Sequence, residues 1–200
     1  MNYGLIFVET RNIPDLDKKI YSMLEYLPDN FTPFVYCSDT NKEQFDKFEY
    51  RIAPKIESKS DYDYFLTNPK FWLMSFDKVL IIQHDAGLLR KGIEEFYYYD
   101  YVGAPWYFQD HGGNGGLSWR NPKVMHDIAS KFQYSTRLGH EDVFFCNIMY
   151  SNKMNLASRE ACSRFSVETV FKLGTLGYHN IRRWLKPEEC KQILNQYETQ

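Results

Sequence analysis

The sequence predicts an α/β fold, an open and mostly parallel sheet with helices packed on both faces. Two observations carry that expectation. Residues 78–83, Lys-Val-Leu-Ile-Ile-Gln, are apolar through their middle without alternation, the pattern of a strand buried on both faces. Strand-like and helix-like periods also alternate through the first hundred residues, the order that winds a parallel sheet.

The elements follow in turn. Residues 3–9, Tyr-Gly-Leu-Ile-Phe-Val-Glu, form a strand-length apolar run ending in a charge. Residues 14–27 put Leu16, Ile20, Met23, Leu24 and Leu27 on one helix face, with Pro14 in the first turn, where a missing N–H is harmless. Residues 31–37 read as a strand, 42–48 as a short helix and 50–56 as a short strand. Residues 60–75 are helical in pattern with a break at Asn68-Pro69, because proline removes a helix hydrogen bond and clashes with the preceding turn. The second half is less regular. It reads as a short strand over 100–104, a glycine-rich loop over 112–116 leading into 117–120, and a helix over 122–132. An apolar helix over 143–150 opened by Glu141-Asp142, a strand over 164–169 and a terminal helix over 187–197 complete it. No repeat, low-complexity tract or linker divides the chain, so residues 1–200 form one domain.

Composition removes several classes of function. At 200 residues, 44% hydrophobic and 25% charged, the chain can bury a core and is not disordered. A net charge of −2 gives no basic field for nucleic acid. The longest apolar run is strand-sized, far short of the roughly 18 residues of a membrane span. The N-terminus shows neither the basic region nor the cleavage site of a signal peptide. Cys37, Cys146, Cys162 and Cys190 are dispersed without a CxxC pair, so reduced thiols and a cytoplasmic location are expected. The 16 Tyr and 15 Phe offer flat apolar faces that serve core packing and sugar stacking alike.

In such sheets ligands bind outside the carboxyl ends of the strands. Glu9-Thr10-Arg11 and Gln83-His84-Asp85 end the first and fourth strands, so both fall on one edge, the first candidate site. A strand-end Asp85 either holds a hard divalent cation that also binds phosphate oxygens, or caps a turn. His84 alone reads as structural. Gly112-Gly113-Asn114-Gly115-Gly116 requires positive φ or close passage to something, a ligand or a tight hairpin corner. It is not the GxGxxG dinucleotide signature, since no strand–turn–helix unit surrounds it. Glu141-Asp142 lies at a helix N-terminus, where carboxylates cap free N–H groups, or where one serves as a general base. His179 reads as a late metal ligand, a phosphate donor or a surface histidine. Arg182 and Arg183 either clamp phosphate or are solvated charges.

The order of these pieces resembles a family of short glycosyltransferases of bacteria and large DNA viruses, known chiefly as a domain of unknown function. The resemblance runs over residues 5–184. It is carried by Val8-Glu9-Thr10-Arg11, Lys78 to Asp85, Asp100-Tyr101-Val102-Gly103-Ala104-Pro105-Trp106, Gly112 to Ser118, Glu141-Asp142-Val143-Phe144-Phe145-Cys146, Ser163 to Glu168, and Leu176-Gly177-Tyr178-His179. It implies a GT-A fold, with a nucleotide-binding half over about residues 1–100 and an acceptor half with a smaller mixed sheet over about 101–200. GT-A enzymes usually carry Asp-any-Asp at the end of the fourth strand, the last Asp on the metal and the first at the ribose. Asp85 matches the last, but Gln83 stands at the first, which keeps a ribose hydrogen bond available and removes a charge from the metal site.

Under this resemblance a sugar moves from a nucleotide-diphosphate sugar, a UDP-sugar favoured, to a hydroxyl of a glycan or other acceptor. Glu9, Thr10, Arg11, Asp39, Gln83 and His84 surround the nucleoside, and Asp85 with His179 holds Mn²⁺ or Mg²⁺ at the pyrophosphate. Asp142 takes the acceptor proton in a single inverting displacement, and Glu141 orients the acceptor. Trp106, Gly113, Asn114, Gly115 and Gly116 shape the sugar pocket. Trp106 and Trp119 either stack on sugars or pack the core. A nucleotidyltransferase would need several basic residues along an early loop, and residues 10–17 hold only Arg11. A non-catalytic carbohydrate-binding module would explain the aromatics, but not Asp85 together with Glu141-Asp142.

Overall fold

The computed structural model describes residues 1–197. The main sheet has six strands: β1 (Tyr3–Val8), β2 (Phe31–Cys37), β3 (Glu49–Ile52), β4 (Lys78–Ile82), β6 (Tyr101–Ala104) and β7 (Asn114–Arg120), in the order β3-β2-β1-β4-β7-β6. The first four are parallel, and β7 runs antiparallel to both β4 and β6. A second sheet of three very short strands, β5 (Ala86–Leu88), β9 (Gly177–His179) and β8 (Ser166–Val167), follows the order β5-β9-β8.

Buried strands send alternate side chains to opposite faces, and here each face has its own core. Leu5, Phe7, Leu80 and Ile82 meet α1 (Leu16–Leu24) and α5 (Arg159–Phe165) through Leu16, Ile20, Cys162 and Phe165. Ile6, Val8, Val79 and Ile81 meet α2 (Lys59–Leu66), α3 (Pro122–Lys131) and α4 (Glu141–Ser151) through Leu66, Met125, Ile128 and Phe145. Two short helices, α6 (Ile181–Trp184) and α7 (Pro187–Asn195), close the chain against the small sheet through Ile181, Cys190 and Ile193. The four cysteines are buried and free. Among the described residues no helix is long and apolar enough to cross a membrane.

The helix break at Asn68-Pro69 is present. α2 ends at Leu66 and a 3₁₀ turn, Pro69–Trp72, follows. Two expectations are corrected. Residues 164–169 are not a strand: Ser158 caps α5 by accepting from the Ala161 N–H, and Ala161, Cys162 and Phe165 then pack at helical spacing, leaving only Ser166–Val167 extended. The glycine-rich run is not a loop throughout, since Asn114 to Gly116 already belong to β7. Only Gly112 within it has positive φ, at 74°. The other glycines answer to crowding. A Cβ on Gly115 would strike Glu141 and Arg120, and one on Gly116 would strike the His179 imidazole.

Arg120 ends β7 on a face where the pattern calls for an apolar residue. It is 0% exposed, with its guanidinium over the Tyr101 ring and near those of Trp72 and Phe145. A buried cation requires a partner, and Glu141 at the start of α4 supplies a bidentate one, at 2.6 and 2.8 Å. Burial lifts the Glu141 carboxyl above the usual carboxylate range, against the opposing pull of Arg120. Glu141→Gln leaves Arg120 as a buried charge without its counter-ion. It should cost about 3 kcal/mol or more, read as a lower urea midpoint at unchanged m-value. A loss under about 0.5 kcal/mol, the range of ordinary surface changes, would contradict this role for the pair.

Candidate active site

A cleft of about 590 Å³ opens at the carboxyl ends of β1 and β4 and extends to the N-terminus of α4 and the β9–α6 turn. This is where a parallel sheet presents ligands, and the volume suits a small organic ligand. Because β1 pairs with β4, their terminal residues meet. Glu9, 6% exposed, receives the Arg11 backbone N–H and Nε on one oxygen, at 2.9 and 2.8 Å, and Nη2 on the other at 2.7 Å. The Arg11 Nη2 also lies 3.0 Å from His84 Nδ1, so that nitrogen is the acceptor and the ring proton sits on Nε2. Burial holds the His84 pKa below the usual histidine value. Thr10 lines the same end. Lys19, which the sequence reading passed over, reaches from α1 to donate to the His84 carbonyl, and burial holds its pKa down.

The small sheet sets the next cluster by register. β9 pairs antiparallel with β5, placing His179 opposite Ala86 and therefore beside Asp85. β8 runs parallel to β9 with Val167 opposite Tyr178, so Glu168 arrives next to His179. His179 Nδ1 lies 3.1 Å from Glu168 Oε1, and Nε2 lies 3.1 Å from Gln83 Oε1 and 3.3 Å from Asp85 Oδ1. Asp85 Oδ1 is buried and lacks an aligned hydrogen bond, for all its closeness to the imidazole. Burial alone would lower the His179 pKa, but the carboxylates of Asp85 and Glu168 raise it to about 9. Burial would raise the Asp85 pKa, and His179 outweighs it, holding it at about 2.

Among the described residues no three His, Cys, Asp or Glu side chains converge as a metal-holding group. The donors that do meet are one carboxylate oxygen, one imidazole nitrogen and one amide oxygen. Donors sharing an edge of an octahedron with bonds of ~2.1 Å stand ~3.0 Å apart, close to the spacings around His179 Nε2. Such a set fits a hard divalent cation that draws its remaining oxygens from phosphate and water. Glu168 on Nδ1 stands where an outer carboxylate would fix the ring of a ligating histidine. Gln83, expected at the ribose, points its oxygen to His179 instead.

At the far end Asp142 is 8% exposed and lines the cleft. Its Oδ2 accepts the Gly115 N–H at 2.9 Å and its Oδ1 the Val143 N–H at 2.8 Å. The absent side chain of Gly115 is what lets α4 approach β7 closely enough for this contact. Asn114 Oδ1 accepts from the Gly116 N–H at 2.7 Å, which stiffens the strand where it borders the cleft. Gly113 passes the Gly103 carbonyl, and its own carbonyl accepts from the Tyr101 hydroxyl, so it serves the fold rather than the cleft. Tyr62 lines the cleft with a hydroxyl that is buried and unpartnered.

Of the other expected residues, Asp39 lies on the surface, Glu141 serves the fold, and Trp119 takes the core-packing side of its two alternatives. Asp39 is exposed, pairs with Lys42 and lies outside the cleft. Glu141 borders the cleft but is 3% exposed, with both carboxylate oxygens paired to Arg120, so it holds the start of α4. Trp119 is 0% exposed and stacks on Tyr97 inside the core. Trp106 does line the cleft, 3% exposed, behind Phe108. Arg183 borders it too, with its guanidinium over the Trp184 ring at 5.0 Å.

The raised His179 pKa has a thermodynamic consequence. A group whose pKa rises on folding stabilises the fold below its unfolded value and loses that contribution as pH climbs through the folded value. Metal-free protein should therefore lose stability between pH ~6.5 and ~9, at up to ~1.4 kcal/mol per pH unit. His179→Gln should flatten that stretch of a denaturation-against-pH curve. An identical slope in the variant would contradict the assignment.

The fold and the family follow from comparison. The structure matches the apo glycosyltransferase GlyE of Streptococcus pneumoniae at a TM-score of 0.61 and 10% identity, over 100% of this chain and 64% of that one. Mouse xyloside xylosyltransferase 1 matches at 0.59 and 11% identity, over 94% and 100% of the two chains. The galactosyltransferase LgtC, in complex with donor and acceptor sugar analogs, matches at 0.58 and 12% identity, over 92% and 87%. The chain thus spans 64% of the length of GlyE. At these identities the likeness shows the fold, and the fold is GT-A, as expected. No match is found among curated protein sequences. A family model described as "Protein of unknown function (DUF5672)" matches residues 44–179, more than half of the chain, and the protein belongs to that family.

Proposed function

We propose that this protein is a glycosyltransferase that moves a sugar from a nucleotide-diphosphate sugar, a UDP-sugar favoured, to a hydroxyl of a glycan or other acceptor. The observation that carries the proposal is that one cleft joins His179 and Gln83, with Asp85 3.3 Å from the imidazole, to Asp142, a fixed carboxylate. GlyE is by name a glycosyltransferase, xyloside xylosyltransferase 1 a xylosyltransferase and LgtC a galactosyltransferase, and the shared fold supports the same class here.

In this reading the first half of the chain binds the nucleotide, with Glu9, Thr10, Arg11 and His84 at the nucleoside. Asp85, His179 and Gln83 would hold Mn²⁺ or Mg²⁺, which would neutralise charge developing on the leaving diphosphate. Glu168 keeps the His179 ring facing the diphosphate, and Arg183 at the cleft rim adds a cation for it. Asp142 receives one N–H on each oxygen and keeps a lone pair free on each, so it is oriented and still able to accept a proton. It takes the proton of the acceptor hydroxyl as that oxygen attacks the anomeric carbon from the face opposite the diphosphate, in one displacement with inversion. Glu141 acts indirectly, by anchoring the turn that carries Asp142.

A panel of nucleotide sugars scored by thermal shift and donor hydrolysis tests the reading. At least one UDP-sugar should stabilise and be turned over, more strongly with Mn²⁺, and no response to any donor would contradict it. Asp142→Asn keeps an acceptor oxygen for one of the two backbone N–H groups and turns its NH2 toward the other, so stability should fall by about 1–3 kcal/mol while transfer falls about 10²–10⁴-fold, the usual worth of a general base. Unchanged transfer would reduce Asp142 to a helix cap.

A further inference from the structure

Two cleft residues have no part in the mechanism above. Asp63, on α2, is 2% exposed and lies under the start of α4. Its Oδ1 accepts the Glu141 N–H at 3.2 Å, and its Oδ2 lies 2.9 Å from His140 Nδ1. An ionised carboxylate only accepts, so Nδ1 carries the proton and the neutral ring keeps Nε2 as an acceptor. The His140 side chain is 52% exposed, lines the cleft two residues before Asp142, and has no hydrogen-bond partner on Nε2 among the described residues. Capping α4 does not call for an imidazole, because Asp63 already takes the backbone N–H. What the pair adds is an imidazole of fixed orientation in the lining of the cleft.

The same cleft carries an aromatic platform. Trp106 is buried, and Phe108 stacks on it at 5.4 Å and 26° between planes. Phe108 and its neighbour Tyr107 are 57% and 69% exposed, and both border the cleft. Trp106 also packs near Cys146 of α4, across the Gly112 turn, so platform and helix are close neighbours. A backed, water-exposed ring in the same cleft as an oriented imidazole matches the two faces of a pyranose, whose C–H face covers a ring while its hydroxyls make directed hydrogen bonds.

We infer that His140, oriented by Asp63, and the Trp106–Phe108 stack form the acceptor subsite, and that the acceptor is a pyranoside with neighbouring hydroxyls. One hydroxyl donates to His140 Nε2 and the next loses its proton to Asp142. A serine side chain or a simple alcohol offers one hydroxyl and no flat C–H face, and would leave both features unused. The inference rests on the glycosyltransferase reading.

Saturation-transfer NMR with a panel of methyl pyranosides tests it, run with and without UDP and Mn²⁺ and compared with N-acetylserine methylamide. At least one pyranoside should bind through its ring C–H protons. His140→Ala and Phe108→Ala should each weaken that binding about tenfold, the worth of a lost hydrogen bond or ring contact. His140→Gln, which restores an acceptor oxygen, should recover part of it. Both side chains are more than half exposed, so neither truncation opens the core. Pyranosides that bind no better than the serine derivative, or with unchanged affinity in both alanine variants, would overturn the inference. UDP binding without any pyranoside binding sinks the subsite and spares the donor reading. Pyranoside binding that depends on His140 without any UDP binding does the reverse, and binding of neither sinks both.

Discussion

The buried pair of Arg120 and Glu141 is the constraint on which the rest of the cleft depends. It joins the last residue of a central antiparallel strand to the first residue of α4, with both charges buried. An apolar pair could fill that space at no loss of stability. It could not fix the direction of a helix N-terminus as a bidentate fork does. Because Glu141 is held, Asp142 falls on the Gly115 N–H and His140 on Asp63. The glycines of β7 are the counterpart of that pair, since any side chain at position 115 would occupy the space of the Arg120–Glu141 contact.

The other end of the cleft is set by strand register rather than by a helix. β5, β8 and β9 are only two or three residues long, yet their pairing brings Asp85, Glu168 and His179 together from three separate stretches of chain. Gly116 supplies the room that the His179 ring occupies. The two glycines of one strand thus serve the two ends of the cleft, Gly115 behind the Asp142 carboxylate and Gly116 behind the His179 imidazole. That economy explains why the run is rich in glycine although only Gly112 needs a left-handed backbone.

Much of this was legible in the sequence, and the limits have physical causes. The parallel core could be read because β1 and β4 are apolar on both faces, which only a strand between two layers of helix needs to be. The shared edge of Glu9, Arg11 and His84 followed from strand order. The small sheet was not readable element by element, since two or three residues cannot display a period. Residues 164–169 misled because Arg-Phe-Ser-Val-Glu-Thr has strand-like composition, while the Ser158 cap and the packing of Cys162 and Phe165 decide for helix. Glu168, Asp63 and Lys19 were missed because each acts through a partner far along the chain. Glu141 was read as facing the acceptor because its claim by Arg120, 21 residues away, leaves no local signal.

The central claim is that Asp85 and His179 meet a cation and a diphosphate in one place. Anomalous diffraction at the manganese edge, from crystals grown with UDP and Mn²⁺, tests it directly. The account predicts one strong peak between the Asp85 carboxylate and His179 Nε2, touching the diphosphate, with Glu168 still on Nδ1. UDP bound in the cleft with no manganese there, and His179 still lying against Asp85, would contradict it.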